Sequence, residues 1–218
     1  MTVQVPPDES ESSHLVLTSY VISTDPKISI IPEFLSPLEC SHLMNLAEDA
    51  GFAPSLVGRG VYSEGSEILP SQDGFENTLS ANRTSLSVLL QPDHDAVVSM
   101  IEAKLSALVS LPVDQLEPLV VVKYEPGAFF KAHHDGAFRP ITVFIYLNDL
   151  DGDRGGETRF PNLNLRVKPR AGTAVVWRNA IENDSEIQAD LRLVHEGLPP
   201  INCTKYGVNC FFNYKIMR

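Results

Sequence analysis

The stretch PLVVVKYEPGAFFKAHHDGAFRPITVFIYLN (residues 118–148) contains two runs of β-branched and aromatic residues separated by turn-forming residues. Runs of this composition, bounded by Gly and Pro, predict β-strands. Between the two runs lie His133, His134 and Asp135. The stretch therefore combines strand-forming sequence with side chains that can bind a metal ion.

Alternation along a strand decides which of these side chains can act together. Residues two apart face the same side, so His133 and Asp135 point together and His134 points away. If a third ligand comes from the β-rich half, His195 in RLVHEG is the sole histidine after Asp135. Two histidines and a carboxylate are the ligand set of non-haem Fe(II) oxygenases. The alternative is that the histidine pair is a surface feature at a strand end.

Further short β-rich runs follow this stretch at close intervals. Gly, Pro, Asn and Asp clusters separate them, which predicts an all-β barrel or sandwich in this half of the chain. The runs are ETRF (157–160), NLRVKP (164–169), GTAVVW (172–177) and YGVNCFFNYKI (206–216).

The first half of the chain predicts helices after one short strand, KISIIPEF (27–34). A capping box with proline at the first helical position, Ser36 to Glu39, begins a helix that ends at Gly51. A second helix begins near Asp93 and ends before Pro112. We expect it to bury Val97, Met100, Ile101, Leu105 and Leu108. Helices followed by strands predict an α+β, mainly β fold, with N-terminal helices packed on one side of a barrel.

The length of 218 residues fits one well-cored domain, which we place at 16–218. Residues 1–15 are polar and rich in Pro, Ser and Glu, which predicts a flexible arm. Residues 58–82 are rich in Gly, Ser, Glu and Asn. A connection of that length is either disordered or a mobile lid.

Charge and composition argue against several classes of partner. The 28 acidic and 17 basic residues give a net charge of −11. A surface of that sign repels phosphate backbones and anionic headgroups, so we expect neither nucleic acid nor membrane as a partner. The first residues lack a secretory signal pattern, and the three cysteines fit no disulfide framework. We therefore expect a cytoplasmic, or nuclear, protein that is not secreted.

Four motifs, in their order along the chain, carry a resemblance to a known family. They are NRTSLSVLL (82–90), YEPGAFFKAHHD (124–135), IYLNDLDGDRGGETRF (145–160) and VHEGLPPINCTK (194–205). Together they resemble the prolyl 4-hydroxylase family of Fe(II)/2-oxoglutarate-dependent dioxygenases. The sequence departs from that family where Tyr206 and Phe211 replace tryptophans that are often present.

The resemblance implies a double-stranded β-helix, or jelly-roll barrel, with a site inside it. The implied iron ligands are His133, Asp135 and His195. Lys205 would pair with the far carboxylate of 2-oxoglutarate, and hydroxyl groups near that carboxylate would come from Tyr124, Tyr146 and Thr158. The 58–82 segment would be the lid over the substrate.

The same resemblance implies a reaction and its cofactors. Fe(II), 2-oxoglutarate and O2 would be used, with ascorbate as a possible reductant, and succinate and CO2 would be the co-products. The substrate would be a prolyl residue in a peptide or protein. The alternatives are a free amino acid or small metabolite as substrate, or a barrel that binds metal and 2-oxoglutarate without turnover.

Alternation in the last predicted strand, residues 205–217, agrees with this interpretation. Even positions are apolar and suited to packing under helices. Odd positions are mixed, begin with Lys205 and leave room at Gly207, as a barrel interior holding an anion would. Elsewhere, we expect Trp177 in the core, and Arg83 either on the substrate side of the site or in a structural salt bridge.

Overall fold

The computed structural model describes residues 17–58, 77–183 and 186–218, and these contain two α-helices and sixteen strands. The helices are α1 (Pro37–Ala50) and α2 (Ala96–Val109). The strands are β1 (Tyr20–Thr24), β2 (Lys27–Ile31), β3 (Ala53–Pro54), β4 (Val57–Gly58), β5 (Asn77–Thr78), β6 (Leu86–Leu89), β7 (Val120–Tyr124), β8 (Phe130–His133), β9 (Ile141–Tyr146), β10 (Thr158–Phe160), β11 (Leu165–Val167), β12 (Ala174–Arg178), β13 (Ala180–Asn183), β14 (Glu186–Ala189), β15 (His195–Gly197) and β16 (Lys205–Phe212).

Two antiparallel sheets form the body of the fold. The larger has the strand order β1-β2-β12-β9-β16-β7-β6-β3, and the smaller has the order β11-β10-β15-β8. One core cluster joins side chains of both sheets, including Tyr146 and Trp177 from the larger and Phe160 from the smaller. The two sheets therefore face each other across an apolar interior, as in a jelly roll. The predicted mainly β class with helices on one side is confirmed.

Both helices pack on the outer face of the larger sheet, where a second core cluster lies. The Ser36–Glu39 capping box and the helix end at Gly51 form as predicted. Helix α2 begins at Ala96, close to the predicted start near Asp93, and Asp95 caps it by accepting two backbone N–H groups. Met100 was expected to be buried but is 49% exposed, since α2 turns Val98 and Ile101 towards the core.

The alternation predicted for the last strand is confirmed in β16, although the strand ends at Phe212. Val208, Cys210 and Phe212 belong to the cluster under the helices, while Lys205 faces the interior. The expected free space at Gly207 is wrong. A Cβ atom there would lie 2.4 Å from the Phe144 ring, which already fills that part of the interior.

Parts of the predicted domain organisation cannot be compared with this structure. The arm at 1–15 and most of the lid at 58–82 lie outside the described residues. Within the described ranges, neither helix is long and apolar enough to cross a membrane.

Candidate metal centre and co-substrate cavity

Two strands of the smaller sheet bring the predicted metal ligands together. His133 ends β8 and His195 begins β15, and the two residues are paired in the antiparallel register. Asp135 follows two positions after His133, and one ligand atom from each of the three lies within 4.8 Å of the others. Asp135 Oδ1 is 3.7 Å from His133 Nε2, and its Oδ2 is 3.6 Å from His195 Nε2. All three side chains are buried.

Hydrogen bonds fix the tautomer of both histidines. His133 Nδ1 lies 2.8 Å from the Lys131 carbonyl oxygen, and His195 Nδ1 lies 3.0 Å from that of Leu193. Because a carbonyl oxygen can only accept, each Nδ1 carries the hydrogen, and each Nε2 presents its lone pair to the centre. Burial, reinforced by His195, lowers the pKa of His133 well below its ordinary value, which favours the neutral ring that a metal needs.

The carboxylate of Asp135 stays ionised although it is buried. Burial raises its pKa, but His195, His133 and Arg139 nearby and a hydrogen bond from Thr142 outweigh that effect and lower it. Two imidazoles and one carboxylate form a donor set that fits a divalent iron ion.

His134 points away from this centre, as the strand alternation predicts. It is fully buried, so the alternative of a surface histidine pair is wrong. Its Nδ1 accepts a hydrogen bond of 3.0 Å from the backbone N–H of Gly136. The ring supports the turn that follows Asp135 and is not part of the ligand cluster.

Lys205 lies in the same cavity, deeper in the interior between the sheets. It pairs with Tyr124 across β16 and β7, and its side chain is fully buried. The ammonium nitrogen lies 4.8 Å from the ring centre of Tyr124, 5.2 Å from that of Phe144 and 5.4 Å from that of Tyr146. Among the described residues it has no hydrogen-bond partner, and burial lowers its pKa to about 7. A buried, unpaired amine fits an anionic ligand that completes the site.

The three predicted hydroxyl residues lie around Lys205 at different depths. Tyr124 and Thr158 line the cavity. Tyr146 is fully buried, with its hydroxyl 2.7 Å from Thr158 Oγ1 and 2.9 Å from the Val167 carbonyl oxygen. Since that carbonyl can only accept, the phenol donates its one hydrogen to Val167 and accepts from the Thr158 hydroxyl.

Sequence reasoning missed two buried residues beside the metal centre, Thr142 and Asn179; Trp177 lies in the core as predicted, but its hydrogen bond was not foreseen. Thr142 Oγ1 donates to Asp135 Oδ2 at 2.8 Å, and Asn179 and Trp177 continue the chain of hydrogen bonds behind it. One signal was available. Thr142 is the one hydroxyl within the apolar run ITVFI, and alternation places it on the same face as Phe144 and Tyr146.

Arg83 lies at the mouth of the cavity and has no carboxylate partner among the described residues. Its guanidinium stacks on Phe130 at 4.4 Å and bonds the hydroxyl of Ser85 and the carbonyl of Leu56. The structural salt bridge considered from the sequence is therefore absent from this part of the chain. Outside the mouth, an open groove reaches His133 and Asp135. Its lining combines apolar residues with polar ones, among them Pro54, Leu56, Leu89, Pro118, Phe138, Phe211, Met217, Glu117, Arg139, Asn209 and Asn213.

Comparison with known proteins identifies the family to which this chain belongs. Residues 119–213 match the model of the 2OG-Fe(II) oxygenase superfamily, a range that includes the three ligand candidates and Lys205. The Arabidopsis thaliana protein named "Probable prolyl 4-hydroxylase 4" is 30% identical over 231 residues, covering 91% of this chain and 72% of the relative. The chain belongs to the prolyl 4-hydroxylase family.

Other members of the prolyl 4-hydroxylase family are similar over shorter parts of their length. Arabidopsis prolyl 4-hydroxylase 5 is 34% identical over 171 residues, and "Probable prolyl 4-hydroxylase 11" is 31% identical over 172. The chain spans 52% and 58% of these two relatives. The cofactors of this oxygenase family are Fe(II), 2-oxoglutarate and O2, and the donor set and the buried amine described above fit the first two.

Solved structures of prolyl hydroxylases share the fold. The viral collagen prolyl hydroxylase of Paramecium bursaria Chlorella virus-1, in its 2OG complex, superimposes with a TM-score of 0.64 at 23% identity, covering 84% of this chain and 94% of that one. A Pseudomonas putida prolyl-4-hydroxylase gives 0.57 at 19% identity, covering 85% and 92%. The jelly-roll expectation for this prolyl 4-hydroxylase family member is confirmed.

Proposed function

We propose that this protein is an Fe(II)/2-oxoglutarate-dependent dioxygenase that hydroxylates a prolyl residue in a peptide or protein. One observation carries the proposal: a buried His-Asp-His cluster and a buried, unpaired lysine lie in one cavity. When bound, Fe(II) supplies the oxidative chemistry, in which O2 and 2-oxoglutarate give succinate and CO2 while one C–H bond of the substrate becomes C–OH.

The protein side of this chemistry is binding, orientation and exclusion of water. His133, Asp135 and His195 would hold the iron on one side, leaving the other side free for ligands. Lys205, once protonated, would form a charge-assisted hydrogen bond with the far carboxylate of 2-oxoglutarate. Tyr124 stands nearby as a hydroxyl donor, Thr158 donates its hydrogen to Tyr146, and the surrounding aromatic rings keep water away from the charges.

The open groove outside the cavity supports a peptide substrate over a small metabolite. More than half of its lining residues are apolar, and they include the exposed Leu56 and Leu89. Arg83 stands between the groove and the metal ligands, and its guanidinium can donate to a backbone carbonyl of a bound chain. A related structure, the Trichoplax adhaerens prolyl hydroxylase, was solved with a hypoxia inducible factor peptide fragment.

Succinate formation tests the proposal directly. The protein, supplied with Fe(II) and 2-oxoglutarate, is incubated with proline-containing peptides or with free proline, and the products are measured by mass spectrometry. With peptides, we expect succinate and a product about 16 Da heavier than the substrate, the mass of one oxygen atom. With free proline we expect neither. Turnover stimulated by free proline, and not by any peptide, would assign the protein to small-molecule hydroxylation. Iron binding with no succinate from either would favour a binding protein.

Two accompanying proposals rest on sequence and family alone. We propose ascorbate as a reductant for the iron, and a cytoplasmic or nuclear place of action. Ascorbate dependence is measured in the same succinate assay.

A further inference from the structure

A buried chain of three hydrogen bonds stands behind the Asp135 carboxylate. Thr142 Oγ1 donates to Asp135 Oδ2 at 2.8 Å, and Asn179 Nδ2 donates to Thr142 Oγ1 at 2.8 Å. Trp177 Nε1 donates to Asn179 Oδ1 at 2.9 Å. Thr142 and Asn179 are fully buried, and Trp177 is 2% exposed, so water does not compete for these bonds.

The chemistry of the partners fixes the direction of every bond. An indole N–H can only donate, so Asn179 must turn its Oδ1 towards Trp177. Its Nδ2 then faces the Arg139 carbonyl oxygen, at 2.9 Å, and Thr142. Because the Thr142 hydroxyl accepts from Asn179, its single hydrogen is directed to Asp135 Oδ2. That bond leaves Oδ1 of the carboxylate for a metal.

Asn179 is connected to a second ligand through its backbone. Its carbonyl oxygen accepts from the backbone N–H of Asp190 at 2.8 Å. Asp190 caps the short 3-10 helix Leu191–Leu193. It accepts from the backbone N–H of Arg192 and holds the Arg192 side chain in an ion pair. The last residue of that turn, Leu193, accepts the Nδ1 hydrogen of His195. The same asparagine therefore ties the segments that carry Asp135 and His195.

We propose that the Asn179 side chain is a positioning group of the metal centre, which keeps Thr142 as the hydrogen-bond donor to Asp135, while the backbone carbonyl of the same residue holds the turn before His195. The inference rests on the proposed function, since it takes those residues as ligands. It assigns no chemical step to Asn179, which touches neither substrate nor cofactor. The inference predicts a measurable loss of metal affinity when these hydrogen bonds are removed.

Titration of the metal-free protein with Co(II) tests the inference without any turnover. Co(II) binding is followed by its visible absorption and by the fluorescence of Trp177, the chain's one tryptophan, whose ring centre is 4.8 Å from that of His195. Asn179→Leu removes the amide without adding charge, and Thr142→Val removes the hydroxyl at constant shape. We expect each to weaken Co(II) binding by about 10- to 100-fold. Thr142→Ser keeps the hydroxyl and should bind like the wild type.

Controls separate positioning from general damage to the fold. Val143→Ala alters the neighbouring residue of β9, which is fully buried on the helix side. It should lower the unfolding free energy while leaving Co(II) affinity unchanged. In the double variant Asn179→Leu/Thr142→Val the losses should not add, since both act through the Thr142–Asp135 bond.

Three results would overturn the inference: wild-type Co(II) affinity in a folded Asn179→Leu, wild-type Co(II) affinity in Thr142→Val, or equal losses in Thr142→Ser and Thr142→Val. The two Thr142 variants keep the inference testable even if Asn179→Leu does not fold. Failure of the proposed function has a different signature, because Co(II) would then bind His133→Ala as tightly as the wild type.

Discussion

His133 and His195 occupy paired positions on two antiparallel strands, and their ring centres are 4.4 Å apart. Directly opposed residues of an antiparallel pair project to the same face of the sheet. The pairing of β8 with β15 therefore aims both imidazoles at one point, although the residues are far apart in the sequence. The Phe130 ring stacks on the His133 ring, with the ring centres 3.5 Å apart, and restricts its rotation.

The two neighbouring histidines should differ sharply when each is replaced. We expect His133→Ala to abolish iron-dependent succinate formation, because it removes a ligand from the cluster. His134→Ala should keep most of it and lose about 1–3 kcal/mol of unfolding free energy, since the Gly136 N–H loses its buried acceptor. Succinate assays and denaturant titrations measure both effects. A folded His134→Ala protein without turnover would contradict the assignment.

Replacement of Lys205 should change stability and ligand binding in opposite directions. Lys205→Met fills similar space without the buried, unpaired amine, so the free protein should gain about 1–3 kcal/mol of unfolding free energy. The 2-oxoglutarate requirement should rise strongly because the carboxylate loses its charge partner. Calorimetry with and without 2-oxoglutarate measures the two effects. An unchanged requirement would remove Lys205 from the co-substrate site.

The lowered pKa of Lys205 predicts two dependences on pH. Burial lowers its pKa from 10.5 to about 7, against the nearby Glu157 carboxylate, which raises it. Between pH 7 and pH 10.5, Lys205 is protonated in the unfolded chain but not in the folded chain. Its contribution to the unfolding free energy therefore rises with pH across this range and falls as the pH drops towards 7. Binding of 2-oxoglutarate needs the protonated amine, so its affinity should fall about tenfold per pH unit above 7.

Calorimetric titrations in buffers of different ionisation enthalpy measure the second dependence. At pH 8 they should report uptake of close to one proton with each 2-oxoglutarate bound. Both dependences should vanish in Lys205→Met. An affinity that is flat from pH 7 to 9 would show that the amine is already charged in the free protein.

Arg83 should affect the peptide and leave the cofactors alone. Arg83→Met keeps an apolar stem over Phe130 but removes the donors that face the groove. Loss of a charged hydrogen bond costs about 1.5–3 kcal/mol, so the KM for peptide should rise by about 10- to 100-fold. The KM for peptide of Arg83→Lys should lie between those of the wild type and Arg83→Met. The Co(II) affinity should be the same in all three proteins. Equal peptide kinetics in all three proteins would place Arg83 outside the substrate path.

Gly172 should be the less replaceable of two glycines with similar backbone conformations. At Gly127 (φ +81°) a Cβ atom would enter open space, whereas a Cβ atom at Gly172 (φ +75°) would lie 2.1 Å from the Leu35 carbonyl oxygen. Gly127→Ala should lower the unfolding free energy by about 1 kcal/mol through backbone strain. Gly172→Ala should lower it clearly more, because the backbone just before β12 must also move away from Leu35. Thermal unfolding of both variants measures the difference.

Local pattern in the sequence predicted most of the elements and the ligand candidates. Period-two alternation gave the faces of β16 and the shared direction of His133 and Asp135, and capping residues gave the ends of α1. Both signals depend on residues only a few positions apart in the sequence, because strand alternation and helix capping follow from local steric and hydrogen-bonding preferences. The same signals misplaced Met100, because helix phase depends on the surface the helix packs against.

Only the tertiary structure decided how distant residues combine. Nothing near Asn179 in the sequence indicates that its amide holds Thr142 or that its carbonyl holds Asp190. Likewise, the burial of Lys205 among three rings follows from the pairing of β16 with both β7 and β9. A sequence pattern tells which face a side chain takes. Its partners, and therefore its pKa and its hydrogen bonds, are set by strands brought together across the sheet from elsewhere in the chain.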